Sequence, residues 1–225
     1  MKKITILLVL VVLVVSCGSK KKVERALTSG NYNEAIYKAV KKLSSNKDAK
    51  RKQDYILLLK DAYDKANERD LNAISGLKAS NNPEYYKRIY ETYSAMDKRQ
   101  NAVRPLLPLS IKGRAVFFKL SDYTNAIVEA RNNVSAYYYQ EGSALLNTED
   151  KFQLRDAYNT LAYIEDINPN YKNTRDLMDE AHELGTAHVI VAIENQTRQI
   201  IPRRLEDALL DFDTYGLNQF WTQYH

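Results

Sequence analysis

The sequence predicts a mainly α-helical protein of 225 residues. Glycine and proline are scarce, at 7 and 5 residues, which favours helices with short links over a β-sandwich with many tight turns. Apolar residues recur at helical spacing through most of the chain, and in its first half most clearly over 53–78. We therefore divide the chain into a leader at 1–16, a tether at 17–22, a helical domain at 23–185 and a strand-containing module at 186–225.

The leader has the pattern of an export signal. Two lysines precede the apolar run 4–15, which is too short to span a bilayer comfortably. The run ends at Ser16-Cys17, and Cys17 is the only cysteine of the chain. This arrangement resembles the lipobox of bacterial lipoproteins. The resemblance implies that residues 1–16 are removed as a signal peptide and that Cys17 receives a diacylglyceryl lipid and a further fatty acid such as palmitate.

The residues after Cys17 bear on the compartment. An ordinary secretory signal or membrane anchor, with Cys17 incidental, is the alternative to a lipobox. Gly18 follows the cysteine where an Asp often marks inner-membrane lipoproteins, so the resemblance implies the outer membrane. The Lys-, Asn- and Tyr-rich composition is similar to that of Bacteroidetes lipoproteins. In that group acidic residues after the cysteine accompany surface export, so Lys20-Lys21-Lys22 imply the periplasmic face.

The net charge of +5 is unevenly distributed. Between Lys20 and Lys52, eleven basic residues face three acidic ones. Lys20–Lys22 are either a segment held near an anionic membrane surface or a solvated tether, whereas a solvated helix face is favoured for Lys38–Lys42. A nucleic-acid partner is not expected, because an exported, lipid-anchored protein would not meet one.

Two stretches resemble tetratricopeptide repeats. The pattern Gly30-x-Tyr32-x-x-Ala35 is similar to the junction between the two helices of such a repeat, and the resemblance implies that Ala35 and Ala39 allow close helix packing. The second stretch consists of Tyr139–Leu146, Ala157, Leu161, Ile164 and Pro169. Its helix linker departs from the family pattern by about three extra residues, and unmatched sequence separates the two stretches. We therefore expect an irregular tetratricopeptide-like solenoid of helical hairpins.

Local signals predict further boundaries. They comprise a brief helix at Val23–Thr28, a helix opening at Pro83 with Asn82 as its cap, a helical pattern from Phe117, a cap at Thr148–Asp150 and a helix at Thr174–Leu184. The apolar stretch Pro105–Leu109 breaks the helix before it. We expect this stretch to pack against neighbouring helices; the alternative is an exposed contact surface.

The pattern changes after Gly185. Ala187–Glu194 is apolar and rich in β-branched residues, which predicts a buried strand. A strand needs a partner, and none is obvious in the remaining sequence, where a helix opens near Pro202 and the chain ends in the aromatic stretch Phe220–Tyr224. We therefore expect 186–225 to be the start of an α/β or β-containing module that is incomplete.

No catalytic or metal-binding pattern is found in the sequence, and no cofactor is expected. The residues considered and set aside are His182, His188, His225, Ser143 and the adjacent carboxylates Glu165-Asp166 and Glu206-Asp207. The histidines lack metal-ligand spacing, neighbouring carboxylates on a helix point in different directions, and Ser143 does not follow a strand.

The consecutive tyrosines Tyr137, Tyr138 and Tyr139 are the candidate partner-binding residues. They place rings around most of a helix, so at least one should face a groove or solvent, and aromatic anchors dominate protein interfaces. The alternative is that all three pack between helices. The resemblances imply a lipid-anchored, non-enzymatic adaptor for an envelope protein. The alternative function is the stalk of a cell-wall or glycan-related enzyme or binding protein whose active domain lies beyond residue 225.

Overall fold

The computed structural model describes residues 19–190, 194, 196, 198–211, 217 and 219–224. This part of the chain is mainly helical, as predicted. Its helices are 19–28 (α1), Tyr32–Leu43 (α2), Gln53–Ala79 (α3), Tyr86–Val103 (α4), Thr124–Leu145 (α5), Lys151–Ile167 (α6), Thr174–Gly185 (α7) and Arg203–Leu210 (α8). Its strands are Leu109–Ile111 (β1), Arg114–Val116 (β2), Ala187–Val189 (β3) and Thr222–Tyr224 (β4). The chain forms two compact units, Met1–Arg131 and Asn132–His225.

Helix α1 already includes residue 19, so it starts earlier than the predicted start at Val23. Side chains near its start contact α3. The ammonium of Lys20 donates to Asp54 at 2.6 Å, and the hydroxyls of Ser19 and Tyr55 are hydrogen-bonded at 2.6 Å. The hydrogen bond to Asp54 raises the pKa of Lys20. These contacts, distant in sequence, extend the helix into the segment that the sequence predicts to be a tether.

The turn between α1 and α2 has the geometry that the sequence predicts. Gly30 has a φ of +77°, in the left-handed region that glycine adopts without a side-chain clash. Ala35 and Ala39 are fully buried in the core of the first unit, together with residues of α1 and α3. Larger side chains at these two positions would force the helices apart.

The apolar stretch 105–109 packs inward. Leu106 and Leu109 are buried in the same core as α2 and α3, so the alternative of an exposed contact surface is wrong for these two residues. The ammonium of Lys47 donates to the carbonyl oxygens of Leu106 and Pro108, at 2.9 and 3.1 Å. The apolar side chains and the backbone of this stretch therefore both have partners.

Strands β1 and β2 form a hairpin that the sequence analysis missed. They are antiparallel, with Leu109 opposite Val116 and Ile111 opposite Arg114. The two-residue turn between them is Lys112-Gly113, and both residues have a positive φ, +49° and +78°. Two positive φ angles are typical of the type I′ turn, whose twist matches that of the strands. The local signal that could have predicted this hairpin is Gly113, which lies between two short apolar segments.

The prediction of a helix from Phe117 is wrong, because α5 starts at Thr124. Buried side chains bind the backbone of the preceding segment, which is not helical. The side-chain amide of Gln100 both donates to and accepts from the backbone of Ser121, at 2.9 and 2.7 Å. The hydroxyl of Tyr63 donates to the carbonyl oxygen of Lys119 at 3.1 Å. These tertiary hydrogen bonds use backbone groups that a helix would need for itself.

In the second unit, α5, α6 and α7 follow one another closely. Asp150 caps α6 by accepting from the amide of Phe152 at 2.9 Å, as the sequence predicts. Gly142 of α5 lies against the fully buried Leu161 of α6: a Cβ atom on Gly142 would be 2.8 Å from the Leu161 Cγ. The close approach of the two helices therefore requires glycine at this position.

The expectation that β3 lacks a partner strand is wrong. β3 and β4 pair in parallel, with Ala187 opposite Thr222 and Val189 opposite Tyr224. The strand is also shorter and less buried than predicted: within the described residues it ends at Val189, its residues are half-buried or exposed, and Ile190 is largely exposed. The predicted strand residues 191–193 lie outside the described residues.

Two glycine substitutions are expected to have opposite effects on stability. Gly142→Ala should lower the free energy of unfolding by about 1 kcal/mol, because an overpacking cost of roughly 1–3 kcal/mol against Leu161 exceeds the helix-propensity gain. Gly76→Ala should raise it by about 0.5–1 kcal/mol, because Gly76 lies inside α3 with nothing within 4 Å of a new Cβ. Urea unfolding followed by circular dichroism checks both variants. Equal shifts of the two variants would contradict the proposed close contact at Gly142.

Candidate functional site

The three predicted tyrosines lie in the second half of α5, and all three are half-buried. The ring of Tyr138 packs on Tyr163 of α6 with 5.5 Å between ring centroids. The ring of Tyr137 lies 5.8 Å from that of Tyr138. Tilted ring pairs at such distances add roughly 0.5–1.5 kcal/mol beyond the burial of their area. These contacts fix the rings without removing them from the surface.

Tyr139 is held by the loop between α6 and α7. Its hydroxyl donates to the side-chain oxygen of Asn173 at 2.5 Å, and the edge of the Tyr171 ring meets its own ring at 5.9 Å between centroids. The ammonium of Lys172 lies 4.2 Å from the centroid of Tyr139 and 5.4 Å from that of Tyr171. A cation over an aromatic face at this distance is attracted by the ring's negative face.

The backbone of this loop is strained at two non-glycine residues. Asn170 and Lys172 have φ angles of +62° and +49°. The carboxylate of Glu165 fixes the loop, because it accepts from the Asn170 amide at 3.1 Å and forms an ion pair with Arg175. The hydrogen bond from Arg175 lowers the pKa of the Glu165 carboxyl. A left-handed backbone conformation is uncommon at a lysine, and at Lys172 it places the ammonium over the rings of Tyr139 and Tyr171.

We call this set of residues the tyrosine surface: Tyr137, Tyr138, Tyr139, Tyr163, Tyr171 and Lys172. Tyr137 and Tyr138 pack with Tyr163, and Tyr139 packs with Tyr171 and Lys172. The rings pack against helix and loop neighbours, yet each keeps part of its area at the surface. Such a surface offers aromatic faces, phenol hydroxyls and one ammonium, which suit apolar and carboxylate side chains of a peptide.

Sequence reasoning did not find Tyr163, Tyr171 and Lys172. Their role depends on the register of α6 against α5 and on the shape of the loop, which no local pattern reports. The only available signal was the stretch Asn168–Asn173, in which proline and three asparagines predict an ordered turn. The other predicted site residue, Cys17, lies outside the described residues.

His182 and Ser143, two residues that the sequence does not favour as catalytic or metal-binding, differ in their contacts. His182 lies in an aromatic cluster with Tyr158, Phe220 and Trp221, and its Nε2 donates to the carbonyl oxygen of Phe220 at 2.7 Å. The Ser143 hydroxyl is buried and has no hydrogen-bond partner among the described residues. Over the same residues, no group of three or more His, Cys, Asp or Glu side chains is placed to hold a metal ion.

The aromatic end of the chain is part of the second unit. Trp221 packs edge-on against Tyr158 at 5.4 Å, and the guanidinium of Arg155 lies 5.3 Å from its ring centroid. Arg155 also donates to the carbonyl oxygen of Gly185 at 3.0 Å. These contacts hold β4 beside β3. The aromatic stretch is evident in the sequence, but its contact with α6 is not.

Comparisons with known proteins give no family. No family model matches the chain, no curated protein matches it, and no solved structure matches it. Within the part of the chain that the structure describes, no helix has both the length and the apolar character needed to cross a membrane.

Proposed function

We propose that this chain is a lipid-anchored adaptor that binds a partner protein at the bacterial cell envelope. The lipid is attached to Cys17 after removal of residues 1–16, and the protein faces the periplasm from the outer membrane. The lipobox-like sequence Val-Val-Ser-Cys supports the anchor, and Gly18 with Lys20–Lys22 supports the location. No enzymatic step is part of this proposal.

We also propose that the helices form irregular, tetratricopeptide-like hairpins. Three features support this. Gly30 makes a tight turn between α1 and α2, the small residues Ala35 and Ala39 are buried, and Gly142 allows α5 to approach Leu161 of α6. Small residues at helix contacts permit the close packing on which helical repeats depend. In proteins of this architecture the helices present surfaces to partners.

The observation that carries the function is the tyrosine surface. Its rings are fixed by neighbours but not covered, and the ammonium of Lys172 is held over two of them at the cost of a strained backbone. Rigid aromatic side chains lose little conformational entropy on binding, which makes them effective anchors at interfaces.

Loss of two tyrosine rings should release the partner. In cells that express the Tyr137→Ala, Tyr139→Ala double variant, we expect recovery of the crosslinked partner to fall at least about 30-fold, since two interface anchors together contribute more than about 2 kcal/mol. The measurement is quantitative mass spectrometry after crosslinking and membrane purification. Tyr37→Ala, which removes an exposed ring from α2, is the matched control and should keep the partner. Unchanged recovery with the double variant would refute the role of this surface.

Lys172→Gly should weaken partner binding while leaving the stability of the fold nearly unchanged. Glycine removes a left-handed backbone cost of about 1 kcal/mol, while the lost cation–π contact is worth about 0.5–1 kcal/mol, so the free energy of unfolding should change by less than about 1 kcal/mol. Recovery of the partner should nevertheless fall, because the ammonium no longer lies over the rings. Urea unfolding and the same crosslinking assay test the two halves of this prediction. A variant that is stable and keeps its partner would exclude Lys172 from the interface.

A further inference from the structure

A second surface feature lies on the first unit, between α1 and α2. It is a groove of about 400 Å³, a size within the range of roughly 300–1,000 Å³ that small-molecule sites occupy. We call it the lysine groove. Its polar lining residues are Ser19, Lys22, Lys38, Lys41, Lys42 and Ser45.

Two helices supply these lysines. Lys38, Lys41 and Lys42 stand three and four residues apart, so they project from one face of α2. Lys22 comes from α1 and joins them across the groove. The sequence predicts a solvated face for Lys38–Lys42, separate from Lys20–Lys22. The helical hairpin closed at Gly30 instead brings basic side chains of both segments together.

Most of this positive charge is not neutralised. Lys38 forms an ion pair with Glu34. Lys22, Lys41 and Lys42 make no ion pair with a carboxylate in the described part of the chain. At the groove's edge, the ammonium of Lys52 donates to the Ser45 hydroxyl at 2.6 Å, which adds a further positive charge nearby. Like charges held together repel, and an anion in the groove would remove that repulsion.

Positive charge distinguishes the lysine groove from another groove of the first unit. A second groove of the first unit has the same volume of about 400 Å³, but Asp64 and Glu68 oppose its single basic residue, Lys119. Both grooves offer similar space, so only the first has the charge to select an anion. Ammonium groups bind phosphate as compact point charges.

We propose that the lysine groove binds the phosphate headgroup of an anionic phospholipid. The assignment to a lipid rests on the proposed function: Ser19 lines the groove and is two residues from Cys17, the proposed lipid attachment site. A groove this close to an anchor meets headgroups at high local concentration. Occupied, it holds the first helical hairpin against the membrane surface.

Vesicle binding tests the proposal. The protein is the full chain carrying Cys17→Ser, so that no attached lipid contributes, and the vesicles contain phosphatidylcholine alone or with phosphatidylglycerol. Replacing Lys22, Lys38, Lys41 and Lys42 by glutamine should weaken binding to the phosphatidylglycerol vesicles about 100-fold, because three unpaired charges near an anionic surface contribute about five-fold each. Binding to phosphatidylcholine vesicles should stay the same, because the leader is identical in both proteins.

The control variant replaces four exposed lysines outside the groove, Lys65, Lys78, Lys98 and Lys112, by glutamine. It has the same net charge as the groove variant, so equal weakening by both would show a general charge effect and overturn the proposal. Inorganic phosphate and soluble glycerophosphoglycerol are added as competitors. Tight binding of inorganic phosphate without preference for phosphatidylglycerol vesicles would overturn the lipid assignment. Failure of Cys17 acylation, read separately by mass spectrometry of the native chain, would refute the anchor and not the groove.

Discussion

Replacing Asp70 with alanine is expected to lower the free energy of unfolding by roughly 3–5 kcal/mol, the cost of leaving a buried charge without its partner. Asp70 is 6% exposed and Arg99 is 5% exposed. The guanidinium of Arg99 donates to the Asp70 carboxylate at 2.5 Å, and the same carboxylate accepts from Arg69 at 2.9 Å. With alanine at position 70, the Arg99 charge would stay buried with neutral partners alone.

Those neutral partners explain why the arrangement is specific. Arg99 of α4 also donates to the side-chain oxygens of Asn67 in α3 and Asn33 in α2, at 2.6 and 3.2 Å. One guanidinium therefore joins three helices through groups whose directions are fixed. Removing either buried member, Asp70 or Arg99, is costly because the other loses its charged partner away from water.

Asp64→Ala is the matched control for Asp70→Ala. Asp64 lies on the same helix and pairs with Lys60 four residues earlier, but it is exposed, so its removal should cost only about 0.3–0.5 kcal/mol. Urea unfolding followed by circular dichroism compares the two variants. Equal losses of unfolding free energy in the two variants would show that burial does not determine how much the Asp70–Arg99 pair contributes. The Asp70→Leu, Arg99→Met double variant should recover much of the loss, because apolar side chains of similar volume need no counter-charge.

Cys17→Ala is expected to abolish lipid attachment and to leave residues 1–16 uncleaved or the chain mislocalised. The physical reason is that only the thiol can form the thioether to the diacylglyceryl group, and the chain has no other cysteine. A single acyl chain gives only marginal membrane binding, whereas two or more chains anchor a protein stably. Because all the proposed chains depend on Cys17, its replacement should remove the whole anchor.

Mass spectrometry of the processed amino terminus and fractionation of membranes measure this effect. Ser16→Ala keeps a small residue before the cysteine and is the control that should process normally. If the Cys17→Ala chain were cleaved and membrane-bound like the unchanged chain, the lipoprotein proposal would be wrong. Protease treatment of intact cells tests the periplasmic orientation, because a chain facing the periplasm is protected and a surface-exposed chain is cut.

Local signals determined most of the helical elements. The helix predicted over 53–78 is found at Gln53–Ala79, and caps were recognised at Asn82 and Asp150 because a side-chain acceptor near an unpaired amide is a local arrangement. The turn at Gly30 followed from glycine's access to positive φ. Each of these features depends on residues within a few positions of one another, so the sequence is sufficient to predict it.

Tertiary structure decided the elements whose backbone groups find distant partners. Gln100 and Tyr63 bind the backbone of the segment before α5, which is not helical although its apolar spacing predicts a helix. Strand β3 pairs with β4, more than thirty residues later in the chain, with Trp221 packed beneath Arg155. Buried side chains from other elements supply these interactions, and the spacing of apolar residues along the sequence does not predict them.

The sequence by itself determined which residue types could form a site. It identified Cys17, the three consecutive tyrosines and the excess of lysines near the amino terminus. Only the tertiary structure decided which of them meet. Packing of α5 on α6 and on the loop after it adds Lys172 to the tyrosines, and the α1–α2 hairpin joins Lys22 to the lysines of α2. The reason is physical: composition and spacing fix what each helix face carries, but packing between helices fixes which faces lie together.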